Sequence, residues 1–144
     1  MGTAMARPMT VVLAALAYWA VVFAFAFALG TVRTLWLAPL LGSPTLAVAM
    51  ELPLVLAASW SVARRVVRQW RLGPGECVAT GAAAFALLMG AELALATWAF
   101  GQTAQGWLAS QFRLPGALGL AGQLAFAAMP MVVRAGLDRR LGYS

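Results

Sequence analysis

The sequence has 144 residues, of which 63% are hydrophobic and 10% charged, and its formal net charge is +6. Soluble domains average about 45–50% apolar and about 25% charged residues, so this composition excludes a soluble fold. The high hydrophobicity also excludes intrinsic disorder. Cys77 is the only cysteine, which excludes a disulfide scaffold. We therefore expect a single transmembrane domain of the all-α class covering residues 1–144.

Four segments of the chain are apolar and long enough for membrane-spanning helices, which need about 20 residues. The predicted spans cover residues 9–29, 44–63, 78–100 and 114–133. Ser43 and Pro44 are typical residues for a helix start, and they precede the second span. The first run is expected to be a span and not a cleaved signal peptide, because a signal core has only about 7–15 residues. The sequence thus predicts an integral membrane four-helix bundle.

The arginines are distributed unevenly among the connections between these spans. If both termini share one side, that side carries eight of the ten arginines, and only Arg33 and Arg113 lie on the other. Short cytoplasmic loops retain positive charge, so we predict an N-in/C-in topology with both termini cytoplasmic. Arginine replaces lysine throughout and alanine is abundant, which is typical of GC-rich bacteria and indicates a multi-pass protein of the bacterial inner membrane. The basic residues are expected to contact the lipid bilayer and no nucleic acid.

The connection between the third and fourth spans is too long for a tight turn. Its apolar residues fall at helical spacing, with glutamines on the other sides; they are Ala104, Trp107, Leu108 and Phe112. This pattern predicts a short amphipathic helix in the outer membrane interface. We interpret it as a connector in preference to a lid over the bundle.

Three polar residues inside the predicted spans share a common depth. Glu51, Glu92 and Gln123 each lie seven or eight residues from the outer end of their span. At about 1.5 Å per residue this is roughly 10–12 Å below the outer surface. Because polar side chains in hydrocarbon are costly, we expect the three to face one another inside the bundle. Arg33, just beyond the first span, is predicted to reach inward to Glu51 or Glu92 and complete an intramembrane polar cluster.

The residues around this cluster favour close helix packing. Three glycines give the fourth span a small surface: Gly116, Gly119 and Gly122. That surface either packs inside the bundle next to Gln123 or forms a dimer interface. Pro53 removes one hydrogen bond of the second helix and frees the carbonyl oxygen of Ala49 near Glu51.

The residue types limit the chemistry of the chain. There is no histidine, and Asp138 is the only aspartate. A Ser/His or Cys/His nucleophile pair is excluded, and a zinc or haem site is not expected. We therefore expect no catalytic residue, no metal and no cofactor, and the chain is predicted not to be an enzyme.

Two functions fit these observations. In the favoured one, the chain is a non-catalytic accessory or structural membrane protein whose polar cluster holds the helices together, because Glu, Gln and Arg form hydrogen bonds between membrane helices. In the alternative, it is a small proton-coupled or cation transporter that uses Glu51 and Glu92. A site for a lipid, pigment or quinone is less favoured. Beyond the bilayer, the partner is left open between a second copy and another membrane protein, and no motif identifies a family.

Overall fold

A computed structural model describes residues 7–142 of the chain. Within this range the chain forms five helices and no strand. The helices are α1 (Pro8–Leu41), α2 (Pro44–Gln69), α3 (Pro74–Ala99), α4 (Ala104–Ser110) and α5 (Gly116–Gly142). All except α4 are long and apolar enough to cross a membrane. The all-α class and the four membrane-length helices are thereby confirmed, and the chain is a membrane protein.

Each long helix extends beyond its predicted span at one end or at both. α2 continues past Arg64 and α5 continues past Arg134. Charged residues end an apolar segment without ending a helix, because arginine has a high helix propensity. α1 passes through Gly30 and contains a π-helical turn at Arg33–Leu37 before it ends at Leu41. The hydrophobic pattern therefore locates the membrane segments but not the helix ends.

Local signals in the sequence explain the helix ends. Gly42 follows α1 with a φ of +67°, a conformation that favours glycine. The Ser43 hydroxyl then accepts a hydrogen bond from the backbone N–H of Leu46 at 3.1 Å and caps α2. Thr103 caps α4 in the same way, accepting from the N–H of Gly106 at 3.0 Å. A short helix is thus present in the connection where the sequence predicts one.

Two arginines fix one end of the bundle. Arg7, before α1, forms an ion pair with Glu76 near the start of α3, with Nε and Oε2 2.9 Å apart. Arg134 of α5 donates to the carbonyl oxygen of Leu72 at 3.2 Å. These contacts bring the start of α1, the turn at residues 70–73 and the later part of α5 together, and we name this the arginine end.

The opposite end, which we name the cavity end, contains the turn at residues 42–43 and the connection at residues 100–115. α1 packs against α2 and α3, and α5 packs against the same two helices. The long helices therefore follow one another around the bundle in the order α1, α2, α5, α3. α2 and α3, although joined by a short turn, stand diagonally across from each other.

The closely packed core lies in the half of the bundle near the arginine end. Its buried apolar residues are Ala14, Tyr18, Val22, Ala63, Val66, Val67, Leu72, Cys77, Ala84, Phe126 and Val133. The rings of Tyr18 and Phe126 stack with their centroids 4.4 Å apart. Gly81 allows α3 to approach α5 closely, since a Cβ at this position would overlap the carbonyl oxygen of Ala127.

A tyrosine in the core completes the hydrogen bonding of α5. Pro130 lies inside α5 and has no N–H, so the carbonyl oxygen of Phe126, four residues earlier, loses its helical donor. The hydroxyl of Tyr18, a fully buried residue of α1, donates to that oxygen at 2.6 Å. Tyr18 therefore satisfies a carbonyl group that would otherwise face hydrocarbon unbonded.

Replacing Tyr18 with phenylalanine should lower the free energy of unfolding by about 1–2 kcal/mol, because the Phe126 carbonyl is left buried and unbonded. Unfolding of the purified protein in mixed micelles by increasing SDS measures this loss. In a Pro130→Ala background, the restored N–H can bond the carbonyl, so Tyr18→Phe should cost less. An equal cost in both backgrounds would contradict this account of Tyr18.

Candidate functional site

A cavity of about 140 Å³ lies inside the bundle, toward the cavity end, and α1, α2, α3 and α5 all contribute to its wall. Its charged and amide-bearing lining residues are Arg33, Glu51, Glu92 and Gln123, the four residues of the predicted intramembrane polar cluster. Most of the remaining wall is apolar. The structure thus brings the four polar side chains to one cavity.

Arg33 and Glu51 connect α1 to α2. The guanidinium Nη1 of Arg33 donates to Oε2 of Glu51 at 2.5 Å, and the two side chains are 31% and 12% exposed. The guanidinium folds back over Gly30, which has no side chain. A Cβ added at Gly30 would lie 3.6 Å from Nη2 of Arg33. Of the two partners that the sequence leaves open for Arg33, the structure selects Glu51.

Glu92 and Gln123 connect α3 to α5. The amide Nε2 of Gln123 donates to Oε1 of Glu92 at 2.5 Å. The other amide atom of Gln123, Oε1, is buried and has no hydrogen-bond partner among the described residues. Glu92 therefore has an uncharged donor as its partner, whereas the charge of Glu51 is balanced by Arg33.

The glycines of α5 are used within the bundle. Gly119 and Gly122 both line the cavity. A Cβ at Gly122 would lie only 2.5 Å from Cδ2 of Leu52, so this glycine allows α5 to approach α2 next to Gln123. At Gly116 a Cβ would overlap the carbonyl oxygen of Ser110. Of the two roles that the sequence leaves open for the glycine surface, the structure shows packing inside the bundle.

A second cavity of about 410 Å³ adjoins the first and opens between α1 and α3. Both cavities are lined by Phe23, Leu88 and the two glutamates of the cluster. The opening is flanked by π-helical turns at Arg33–Leu37 and Leu95–Ala99. Such turns insert an extra residue into a helix and occur frequently at functional sites. Arg33, Glu51 and Glu92 are therefore accessible from the side of the bundle between α1 and α3.

Tyr18 does not line the cavity, but its hydroxyl bonds to the carbonyl oxygen of Phe126, which forms part of the cavity wall. The apolar pattern of the sequence does not single out this tyrosine. The available signal was Pro130, which marks the carbonyl oxygen of Phe126 as free. Pro53 marks the carbonyl oxygen of Ala49 as free in the same way, although α2 continues through Pro53 as a helix.

The cavity offers a guanidinium, two carboxyl groups and one unbonded amide oxygen within an otherwise apolar wall. Within residues 7–142, no group of three or more His, Cys, Asp or Glu side chains is placed to hold a metal ion. The arrangement can hold helices together by hydrogen bonds, and its carboxyl groups can exchange a proton or accept a hydrogen bond from a ligand. Comparisons of the chain with protein-family models, curated proteins and solved structures found no match.

Proposed function

We propose that the protein is a non-catalytic accessory or structural protein of the bacterial inner membrane, in which two polar pairs hold the cavity half of the bundle together. The observation that carries this proposal is that each pair joins two different helices. Arg33 and Glu51 join α1 to α2, and Gln123 and Glu92 join α3 to α5. Together the pairs involve all four long helices.

The position of the apolar core supports this role. The large buried side chains are concentrated toward the arginine end, and the cavity half contains open space. There is no hydrophobic driving force between helices in lipid, which is itself apolar, so membrane helices associate through close packing and hydrogen bonds. A hydrogen bond between membrane helices contributes about 0.6–1.7 kcal/mol, so the two pairs compensate for the missing packing.

In this proposal the arginine end faces the cytoplasm, and both termini are cytoplasmic. The distribution of arginines supports this orientation, because the positive-inside rule places the side with eight of the ten arginines in the cytoplasm. Trp36 and Trp98, which are 63% and 87% exposed, then lie at the outer interface, where indole rings are enriched. α4 lies in the same interface as a connector.

Proton-coupled or cation transport is the second candidate, and one observation favours it. Glu92 lines a cavity that opens between α1 and α3, and its hydrogen-bond partner Gln123 carries no charge. A proton or a cation could therefore neutralise this carboxylate reversibly, which is a requirement for coupled transport.

Glu92→Gln separates the two functions, because an amide at this position can still bond to Gln123 but cannot titrate. For a structural protein, we expect Glu92→Gln to fold like the wild type, and wild-type proteoliposomes to show no more proton flux than empty liposomes. Glu92→Leu removes the bond and should lower the free energy of unfolding by about 1 kcal/mol. Flux through the wild type that Glu92→Gln abolishes while the fold is retained would replace the structural function with transport.

A further inference from the structure

Several arginines at the arginine end have no acidic side chain to neutralise them. The sequence contains four acidic residues. Three of them form ion pairs, Glu51 with Arg33, Glu76 with Arg7 and Asp138 with Arg134. The fourth, Glu92, is bonded to Gln123 in the other half of the bundle. Among the described residues, no acidic side chain is thus left to pair with Arg64, Arg68, Arg71 or Arg140, and these guanidinium groups are open to an external anion.

These arginines converge on one groove. It has a volume of about 550 Å³ and lies between the ends of α2 and α5. α2 and the turn that follows it contribute Arg64, Arg68 and Arg71, and α5 contributes Arg140. Arg134, which is paired with Asp138, also lines the groove. Guanidinium groups bind phosphate oxygens in a bidentate manner, so a groove of this composition fits a phosphate group.

A smaller apolar channel of about 70 Å³ adjoins this arginine groove on the surface between α2 and α5. Trp60 of α2 and Val132 and Gly136 of α5 line the channel, and it shares Arg64 and Arg140 with the groove. A Cβ at Gly136 would meet no atom within 4 Å, so the channel is open at this position. The guanidinium carbon of Arg64 lies 5.3 Å from the centre of the Trp60 ring, at the point where the charged and apolar parts meet.

We propose that this surface is a binding site for one anionic phospholipid. Its phosphate lies among Arg64, Arg68 and Arg140, and one acyl chain follows the channel past Gly136. Basic pockets between membrane helices bind anionic headgroups in this way. The apolar channel distinguishes a lipid from a free phosphate ion, because only a lipid has a chain to fill it. The site requires that α2 and α5 lie in a membrane, but it does not depend on which side faces the cytoplasm.

Binding can be tested with the purified full chain in an uncharged detergent, by native mass spectrometry with added lipid. Phosphatidylglycerol should bind saturably, and phosphatidylcholine with the same acyl chains should not. Arg64→Gln, Arg68→Gln and Arg140→Gln should each weaken binding about fivefold, as expected for one arginine at an anionic lipid surface. Arg139→Gln is the matched control, since it removes the same charge from α5 outside the groove and should leave binding unchanged. Equal losses for Arg139→Gln and Arg140→Gln would overturn the site in favour of diffuse attraction.

The acyl-chain part of the site has its own test. Gly136→Leu fills the channel without changing any charge and should weaken phosphatidylglycerol binding. Val132→Phe, which narrows the same channel, is the second variant if the first does not fold. Inorganic phosphate, measured by its effect on thermal unfolding, should not replace the lipid. Stabilisation by inorganic phosphate equal to that by phosphatidylglycerol, or full lipid binding by both channel variants, would show that no acyl chain occupies the channel.

Discussion

Replacing Arg33 with methionine should lower the free energy of unfolding by about 3 kcal/mol, because it removes one partner of a largely buried ion pair. Glu51 is 12% exposed, and its carboxylate would then lie in the bundle without a countercharge. Methionine keeps the length of the side chain, so the loss reports the charge and the hydrogen bond more than the packing. Unfolding of the purified protein by increasing SDS in mixed micelles provides the measurement.

Two further variants control this experiment. Arg33→Met combined with Glu51→Leu removes both charges and should recover most of the stability, since an apolar pair often replaces a buried ion pair at little cost. Arg113→Met removes an arginine from the same end of the bundle, in the connection before α5, and should change the stability little. If the double variant is as unstable as Arg33→Met, the ion pair does not account for the loss.

The sequence predicts the membrane helices well because their signal is local. A run of about 20 apolar residues has few alternatives to a spanning helix, and turn residues divide the chain into four such runs. The common depth of Glu51, Glu92 and Gln123 is also a local property, since each lies a fixed number of residues from the end of its own span. Depth follows from the rise per residue and needs no knowledge of the helix arrangement.

The pairing of the polar residues depends on that arrangement and could not be predicted. α1 packs against both α2 and α3, so Arg33 has Glu51 on one neighbour and Glu92 on the other. The choice depends on the rotation of α1 about its own axis, which a local pattern does not define. The contact of Tyr18 with Phe126 crosses the bundle from α1 to α5 and likewise depends on the order of the helices. Pro130 indicates that a donor is needed but not which residue provides it.

Gly81→Ala is expected to lower the free energy of unfolding by about 1–3 kcal/mol, because the added methyl group overpacks the contact between α3 and α5. The group that a Cβ would overlap is the carbonyl oxygen of Ala127, which belongs to a helix backbone and cannot move by rotating a side chain. α3 and α5 must therefore separate. The loss should appear in SDS unfolding and as a lower yield of folded protein after detergent extraction.

Gly90→Ala is the control that tests whether the loss comes from the close approach of α3 and α5 at Gly81. Gly90 lies in the same helix, and a Cβ there would meet no atom within 4 Å. Both substitutions bring the same gain in helix propensity, about 0.5–1 kcal/mol for alanine over glycine, so Gly90→Ala should leave the protein equally or more stable. The difference between the two variants then measures the steric cost at Gly81 alone. Equal effects would show that α3 and α5 are farther apart near Gly81 than the structure places them.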